Sequence, residues 1–114
     1  MKISTHLSRR HFMATTAVTS LMLGAGRAMA AEPIKMAGIY TVPVEQQWVG
    51  RIHEAALAAQ NRGDIAYSYS ENVSNTDYAR VMREYAEAGN TLIIGEVFGA
   101  EQEAREVAAE YPDV

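Results

Sequence analysis

The stretch TLIIG, residues 91–95, follows a glycine–asparagine pair and is almost wholly apolar. A short apolar run bounded by turn residues predicts a strand that is buried on both faces, as the strands of parallel sheets are. Parallel strands are joined by crossover connections, which are usually helices. The run therefore predicts an α/β fold with a helix on either side of it along the chain.

Both segments that flank this strand have helical periodicity. Residues 100–111 place Glu101 and Glu103 near the positive N-terminal end of a predicted helix. Residues 74–90 begin with Ser74 and Asp77 in capping-box spacing and end at a glycine. The inward faces are predicted to consist of Ala104, Val107, Ala108 and Tyr111 in the later helix, and of Tyr78, Val81, Met82 and Tyr85 in the earlier one.

The same alternation extends toward the amino terminus. Residues 34–40, IKMAGIY, and residues 65–70, IAYSYS, are rich in β-prone side chains and predict two further strands. Residues 44–63 between them predict a helix that ends at Gly63. Its predicted inward face holds Val49, Ile52, Ala56 and Ala59. The order βαβαβα predicts right-handed crossovers and a doubly wound parallel sheet.

A doubly wound sheet usually has more than three strands, and a fourth strand would cover the apolar edge that TLIIG otherwise leaves. The pattern predicts that this strand begins near Val114, so that residues 31–114 form the N-terminal part, half of an α/β lobe, of a larger protein. The alternative is a small complete domain, which at this size would bury only a modest fraction of its surface.

Residues 1–30 have the three regions of an export signal. Basic residues precede a weakly apolar run at residues 12–26, and RAMA supplies small residues for cleavage after Ala30. SRRHFM, residues 8–13, resembles the twin-arginine signal that exports folded proteins. A membrane anchor is the alternative, but 15 residues interrupted by four Thr or Ser fall short of the roughly 20 needed to span a bilayer.

Charge and cysteine content narrow the class of partner. The whole chain has a net charge of −4; residues 31–114 hold six basic and all fourteen acidic residues, which gives −8. A nucleic acid polymer is therefore not expected as a partner, because phosphate backbones require a basic patch. The chain has no cysteine, which excludes disulfides, thiolate metal sites and a lipoprotein anchor. We expect a soluble exported protein, either free in the periplasm or peripheral to the plasma membrane.

The motifs of common enzyme classes do not occur in the chain. It contains no G-x-G-x-x-G, no P-loop and no G-x-S-x-G, so we expect no catalytic residues and no cofactor. His53 is predicted to be a solvated residue on the polar side of its helix rather than a ligand or a base. The carboxylates Glu101, Glu103, Glu106 and Glu110 spread around a helix and predict a solvated face, with no metal site.

Candidate binding residues stand where the three predicted strands end. Ligands of open parallel sheets bind at the carboxyl ends of the strands, near a topological switch point. The corresponding loops are residues 41–47, 71–75 and 96–99. They offer amides, a carboxylate and aromatic planes, which suit a neutral, flat, hydrogen-bonding ligand. The candidates are Gln46, Gln47, Trp48, Asn72, Glu96 and Phe98; the alternative for Trp48 and Phe98 is a place in the core.

Residues 35–114 resemble the amino-terminal portion of the basic membrane protein (BMP) family of substrate-binding proteins of ABC transporters. The resemblance lies in ENV at residues 71–73, AGNTLI at 88–93, FG at 98–99 and YPDV at 111–114. It implies a type I periplasmic-binding-protein fold of two α/β lobes. These close on a small ligand, often a purine nucleoside or related base, which is passed to a membrane permease.

The first loop, TVPVEQQW, departs from the Gly-rich, Asp-containing segment that many members carry. We therefore expect a small polar flat solute and leave its identity open. The leading functional hypothesis is a non-catalytic substrate-binding component of an ABC importer, with an inner-membrane permease as partner. The alternative is an exported enzyme or sensor domain on a similar doubly wound sheet, because fold alone does not fix function.

Overall fold

The structure, a computed structural model, describes residues 31–114. The predicted signal peptide, including its twin-arginine stretch, lies outside the described residues. Three strands alternate with three helices, as the sequence predicts. The elements are β1 (Ile34–Ile39), α1 (Gln47–Asn61), β2 (Ile65–Ser70), α2 (Asn75–Glu87), β3 (Leu92–Gly95) and α3 (Glu101–Glu110).

The three strands form one parallel sheet in the order β2-β1-β3. Alternation along the strands sends Tyr67 and Tyr69 to one face, where His53 of α1 packs against them. Ser70 points to the other face and hydrogen-bonds Tyr85 of α2, with 2.7 Å between the two hydroxyl oxygens. Helix α3 packs beside α2. Helices therefore cover both faces, and the predicted doubly wound arrangement of the three-stranded unit is confirmed.

The main hydrophobic cluster lies between the sheet and the pair α2 and α3. Its buried members are Ile39, Val73, Tyr78, Val81 and Ala100, with Met82, Tyr85, Ile93, Val97 and Ala104 packed around them. All four side chains predicted to face inward from α2 belong to it. The predicted N-cap of α2 is confirmed, although the Asp77 carboxylate bonds the Ser74 hydroxyl and not the Ser74 amide of a full capping box. The Ser74 hydroxyl accepts a hydrogen bond from the Asp77 amide at 3.3 Å and donates one to the Asp77 carboxylate at 2.9 Å.

Three predictions about burial are wrong. The TLIIG pattern predicts burial on both faces, but Leu92 is 41% exposed. Within residues 31–114 β3 is the edge strand that the pattern leaves before a fourth strand is added. Helix α1 packs against β2, at the opposite edge, and so does not cover β3. Ile52 of α1 is 37% exposed, because it lines an open groove beside Ile65 instead of closing over it. Ala108 of α3 is likewise exposed, along a groove beside Leu92.

Helix α1 begins at Gln47 instead of the predicted residue 44. The Gln46 amide donates to the Pro43 carbonyl at 3.0 Å, which makes a turn before the helix. Gln46 then stands at the N-cap in an extended conformation and makes no side-chain cap. No helix within residues 31–114 is long and apolar enough to cross a membrane.

Candidate functional site

The carboxyl ends of β1 and β3 meet at the topological switch point of the sheet. Helix α1 follows β1 on one face, whereas α3 follows β3 on the other, so the two loops diverge and leave a crevice between them. The Glu96 amide donates to the Ile39 carbonyl at 3.3 Å and holds the loops together at the base of this crevice. Residues 95–99, Glu101 at the start of α3 and Trp48 at the start of α1 form its walls.

Glu96 places a buried carboxylate at this point. The residue is 6% exposed. Its Oε2 accepts a hydrogen bond from Thr41 Oγ1 at 3.0 Å, which ties the loop after β3 to the loop after β1. Its Oε1 is buried and has no hydrogen-bond partner within residues 31–114. Because an unsatisfied buried carboxylate oxygen is costly, this atom indicates a place for a donor from outside the described residues.

Two exposed aromatic side chains stand beside the carboxylate. Trp48 is 45% exposed and Phe98 is 80% exposed, so neither is a core residue. Their rings meet edge to face, with centroids 6.5 Å apart. Together with Glu96 they line a groove of about 470 Å³, to which Gly95, Val97, Gly99 and Glu101 also contribute. The structure thus brings together three of the six predicted binding residues.

A glycine fixes the loop that carries Phe98. Gly99 has φ of 88°, a conformation that side-chain-bearing residues rarely adopt. A Cβ atom there would also lie 2.6 Å from the Asn75 side-chain nitrogen. Glycine at this position therefore lets the loop turn tightly between Phe98 and the start of α3.

The other three predicted binding residues do not line the groove. Gln46 and Gln47 are exposed at the start of α1, and Asn72 is exposed after β2. Asn72 has φ of 55°, in the left-handed region that asparagine tolerates, which accounts for it as a turn residue. All three lie at the carboxyl end of the sheet, but nothing in the described geometry directs them at a ligand.

Two hydroxyl-bearing groups near the carboxylate are not among the predicted site residues. Thr41 is half-buried and is the only side chain within residues 31–114 that hydrogen-bonds Glu96. The available signal was its position directly after β1, in the first of the three candidate loops. The helical spacing of Tyr78 predicts a core residue, and Tyr78 is indeed buried. Its hydroxyl also lies over Gly95, the residue before Glu96.

His53 differs from its prediction as a solvated residue. It is half-buried, its Nδ1 lies 3.1 Å from the Tyr67 hydroxyl, and its ring meets Tyr69 edge to face at 4.5 Å. Tyr67 continues the network to Tyr40, with 2.8 Å between the hydroxyl oxygens. The prediction failed because α1 turns this side chain toward the aromatic strand β2, and an imidazole packs well on tyrosine rings.

The carboxylates of α3 are exposed, as predicted: Glu101, Glu103, Glu106 and Glu110. Two of them pair with arginines, Glu101 with Arg105 of the same helix and Glu110 with Arg83 of α2. Such exposed pairs contribute little to stability. Within residues 31–114 no group of three or more histidine, aspartate or glutamate side chains is placed to hold a metal ion.

Burial gives Tyr78 a titration that should be visible in alkaline unfolding. Desolvation, and then the negative charge of Glu96, raises the pKa of Tyr78 to about 12, against an ordinary value near 10. The folded state thus holds this proton more tightly than the unfolded state. The stabilisation is complete below about pH 10 and is lost as the pH rises toward 12.

We therefore expect the free energy of unfolding to fall over this range, and to fall less steeply in Tyr78→Phe, which has no proton to lose there. Urea unfolding followed by circular dichroism at several alkaline pH values measures both slopes. Equal slopes for the two proteins would contradict this account of Tyr78.

Comparison of the chain with models of known protein families gives no match, and no curated protein is significantly similar to it.

Proposed function

We propose that this protein is the non-catalytic substrate-binding component of an ABC importer, similar to the BMP family, and that it binds a small polar flat solute such as a nucleoside or purine-like base. The ligand would lie in a cleft between two α/β lobes, with residues 31–114 forming part of the first. An inner-membrane permease would receive it. The doubly wound three-stranded sheet supports this proposal, because periplasmic-binding lobes of this type share that arrangement.

The observation that carries the proposal is the groove at the switch point. It combines two solvent-exposed aromatic rings, Trp48 and Phe98, with the buried, half-satisfied carboxylate of Glu96. Exposed rings beside a carboxylate with an unused acceptor atom suit recognition of a flat, hydrogen-bonding solute.

Replacing Trp48 by alanine tests the site. Stacking of a base on an aromatic side chain is worth about 1–3 kcal/mol in nucleic-acid sites, so we expect Trp48→Ala to weaken binding by about tenfold or more. The parent and its variants are tested in a form of the protein that carries the second lobe, and the ligand for the titration is the compound that raises the parent's melting temperature most in a panel of nucleosides, bases and small metabolites. Isothermal titration calorimetry then measures the affinity.

The matched control is Val81→Ala. Val81 is 8% exposed and belongs to the cluster between the sheet and α2, so its truncation should lower the melting temperature and leave the affinity nearly unchanged. If Trp48→Ala binds like the parent, the aromatic part of the site is excluded.

Export to the periplasm by the twin-arginine route belongs to the same proposal. We expect replacement of both Arg9 and Arg10 by lysine to leave precursor in the cytoplasm, because the transporter reads the arginine pair. Fractionation of cells that express the parent and the double variant measures this. Undiminished export of the variant would reject the twin-arginine route and leave a general export signal in place.

The genomic neighbourhood separates the binding protein from an exported enzyme or sensor domain. A reading frame that continues beyond codon 114 into further strands and a second lobe would support transport, as would adjacent permease and ATPase genes. A stop codon and unrelated neighbours would favour the alternative.

A further inference from the structure

The negative charge of Glu96 is not balanced by any cation in the described part of the chain. Its Oε2 is bound only by the neutral hydroxyl of Thr41, and its Oε1 has no partner. The ion pairs within residues 31–114 all involve other carboxylates. A carboxylate that is this deeply buried is ordinarily paired with a cation or neutralised.

The residues that line the groove include no lysine or arginine. Burial and the charge of Glu96 raise the pKa of Tyr40 and of Tyr78, so both hydroxyls stay protonated and neutral at neutral pH and leave the charge of Glu96 as it is. The other carboxylate on the groove, Glu101, is already paired with Arg105. Glu96 is therefore the one carboxylate of the groove lining that has no cationic partner within residues 31–114, and an unpaired charge beside apolar walls attracts ligands of the opposite sign.

The aromatic walls restrict the shape of such a ligand. Trp48 and Phe98 are 45% and 80% exposed, and the faces of aromatic rings carry the negative quadrupole that attracts cations. Amidinium and guanidinium groups are planar, so they can lie against an aromatic ring, and they carry N–H donors that bind carboxylates. A quaternary ammonium group would satisfy the rings but not Oε1 of Glu96.

We infer that the groove selects a planar organic cation of the amidinium or guanidinium type, with an N–H group donating to Glu96 and the flat group lying against Trp48 or Phe98. This ligand class presupposes the binding function proposed above, which by itself requires only a flat polar solute. Glu96 would thus set the charge preference, and the aromatic rings would set the shape.

Benzamidine and benzamide test this choice, because they are nearly the same size and shape while only benzamidine is charged at neutral pH. Trp48 is the only tryptophan in the chain, so its fluorescence reports occupancy of the groove directly. We expect the parent to bind benzamidine at least about tenfold more tightly than benzamide, the range of a charge-assisted hydrogen bond.

Two variants assign the preference to one carboxylate. Glu96→Gln keeps the shape of the side chain and removes its charge. This variant should bind benzamidine and benzamide with about the same affinity. Glu103→Gln removes one charge from an exposed position in the first turn of α3, outside the groove, and should keep the preference. Circular dichroism establishes that each variant is folded. If Glu96→Gln does not fold, the comparison of the two compounds on the parent still decides the charge preference.

The outcomes separate the ligand class from the broader function. Equal binding of both compounds, or a preference that survives Glu96→Gln, overturns the cation assignment. If purine nucleosides or other neutral flat solutes bind well in the same fluorescence assay, the proposed function stands without it. If neither cationic nor neutral flat solutes change the Trp48 fluorescence or raise the melting temperature, both are rejected.

Discussion

Truncation of Ile39 to alanine should lower the free energy of unfolding by about 4 kcal/mol, near the upper part of the range for buried aliphatic side chains. Ile39 lies in the central strand and is fully buried. It packs in the cluster with Val73, Tyr78 and Val81, and these neighbours limit how far a cavity can collapse. A domain of this kind has only about 5–15 kcal/mol to lose. Urea unfolding followed by circular dichroism measures the change.

Ile34→Ala is the control for this prediction, because it makes the same substitution in the same strand. Ile34 is 52% exposed at the start of β1, and its truncation should cost about 1 kcal/mol or less. Similar losses for the two variants would mean that the cluster on the α2 and α3 face is not the principal core of the described domain.

Periodicity carried most of the information about the fold. The alternation of short apolar runs with amphipathic stretches predicted all six elements, and Tyr78, Val81, Met82 and Tyr85 of α2 all pack as their spacing indicated. Local signals were equally dependable, as the N-cap at Ser74 illustrates. Each of these features is encoded within one or two turns of chain, so no knowledge of distant contacts is needed to predict it.

The errors in the fold arose where a residue depends on what another element covers. Ile52 has a suitable position on α1, yet the alanine-rich helix leaves an open groove beside it. Leu92 belongs to an apolar strand, but that strand lies at the edge of the sheet among the described residues. His53 points at tyrosines of β2, a contact that neither segment indicates alone. Such outcomes require the packing geometry.

The candidate site could be predicted in location and only partly in composition. The rule that parallel sheets bind ligands at their carboxyl ends identified Trp48, Glu96 and Phe98, which meet in one groove. Gln46, Gln47 and Asn72 satisfied the same rule but lie outside it. The sequence could not predict that Thr41 bonds one carboxylate oxygen of Glu96 while the other has no partner, because Thr41 lies 55 residues away in the sequence.

Gly95→Ala should be the most damaging small substitution at the site. A Cβ atom at this last residue of β3 would meet the Tyr78 hydroxyl and would lie 2.5 Å from the backbone carbonyl oxygen of Ile39. The tyrosine can move only by leaving its place in the core, and the carbonyl can move only if β1 and β3 separate. We expect a loss of about 3 kcal/mol in the free energy of unfolding, the upper end for overpacking, measured by urea unfolding.

The same substitution should also weaken ligand binding, since Glu96 follows directly and its hydrogen bond to Thr41 depends on the β1–β3 spacing. Adding Tyr78→Phe removes one of the two obstructions and should restore part of the lost stability, but not all of it, because the Ile39 carbonyl remains.

Gly63→Ala is the control. Gly63 has φ of 84°, and a Cβ atom there would meet nothing within 4 Å, so this substitution should cost only about 1 kcal/mol of backbone strain and leave binding unchanged. If Gly95→Ala costs no more than Gly63→Ala, the close approach of β3 to β1 and Tyr78 does not position Glu96.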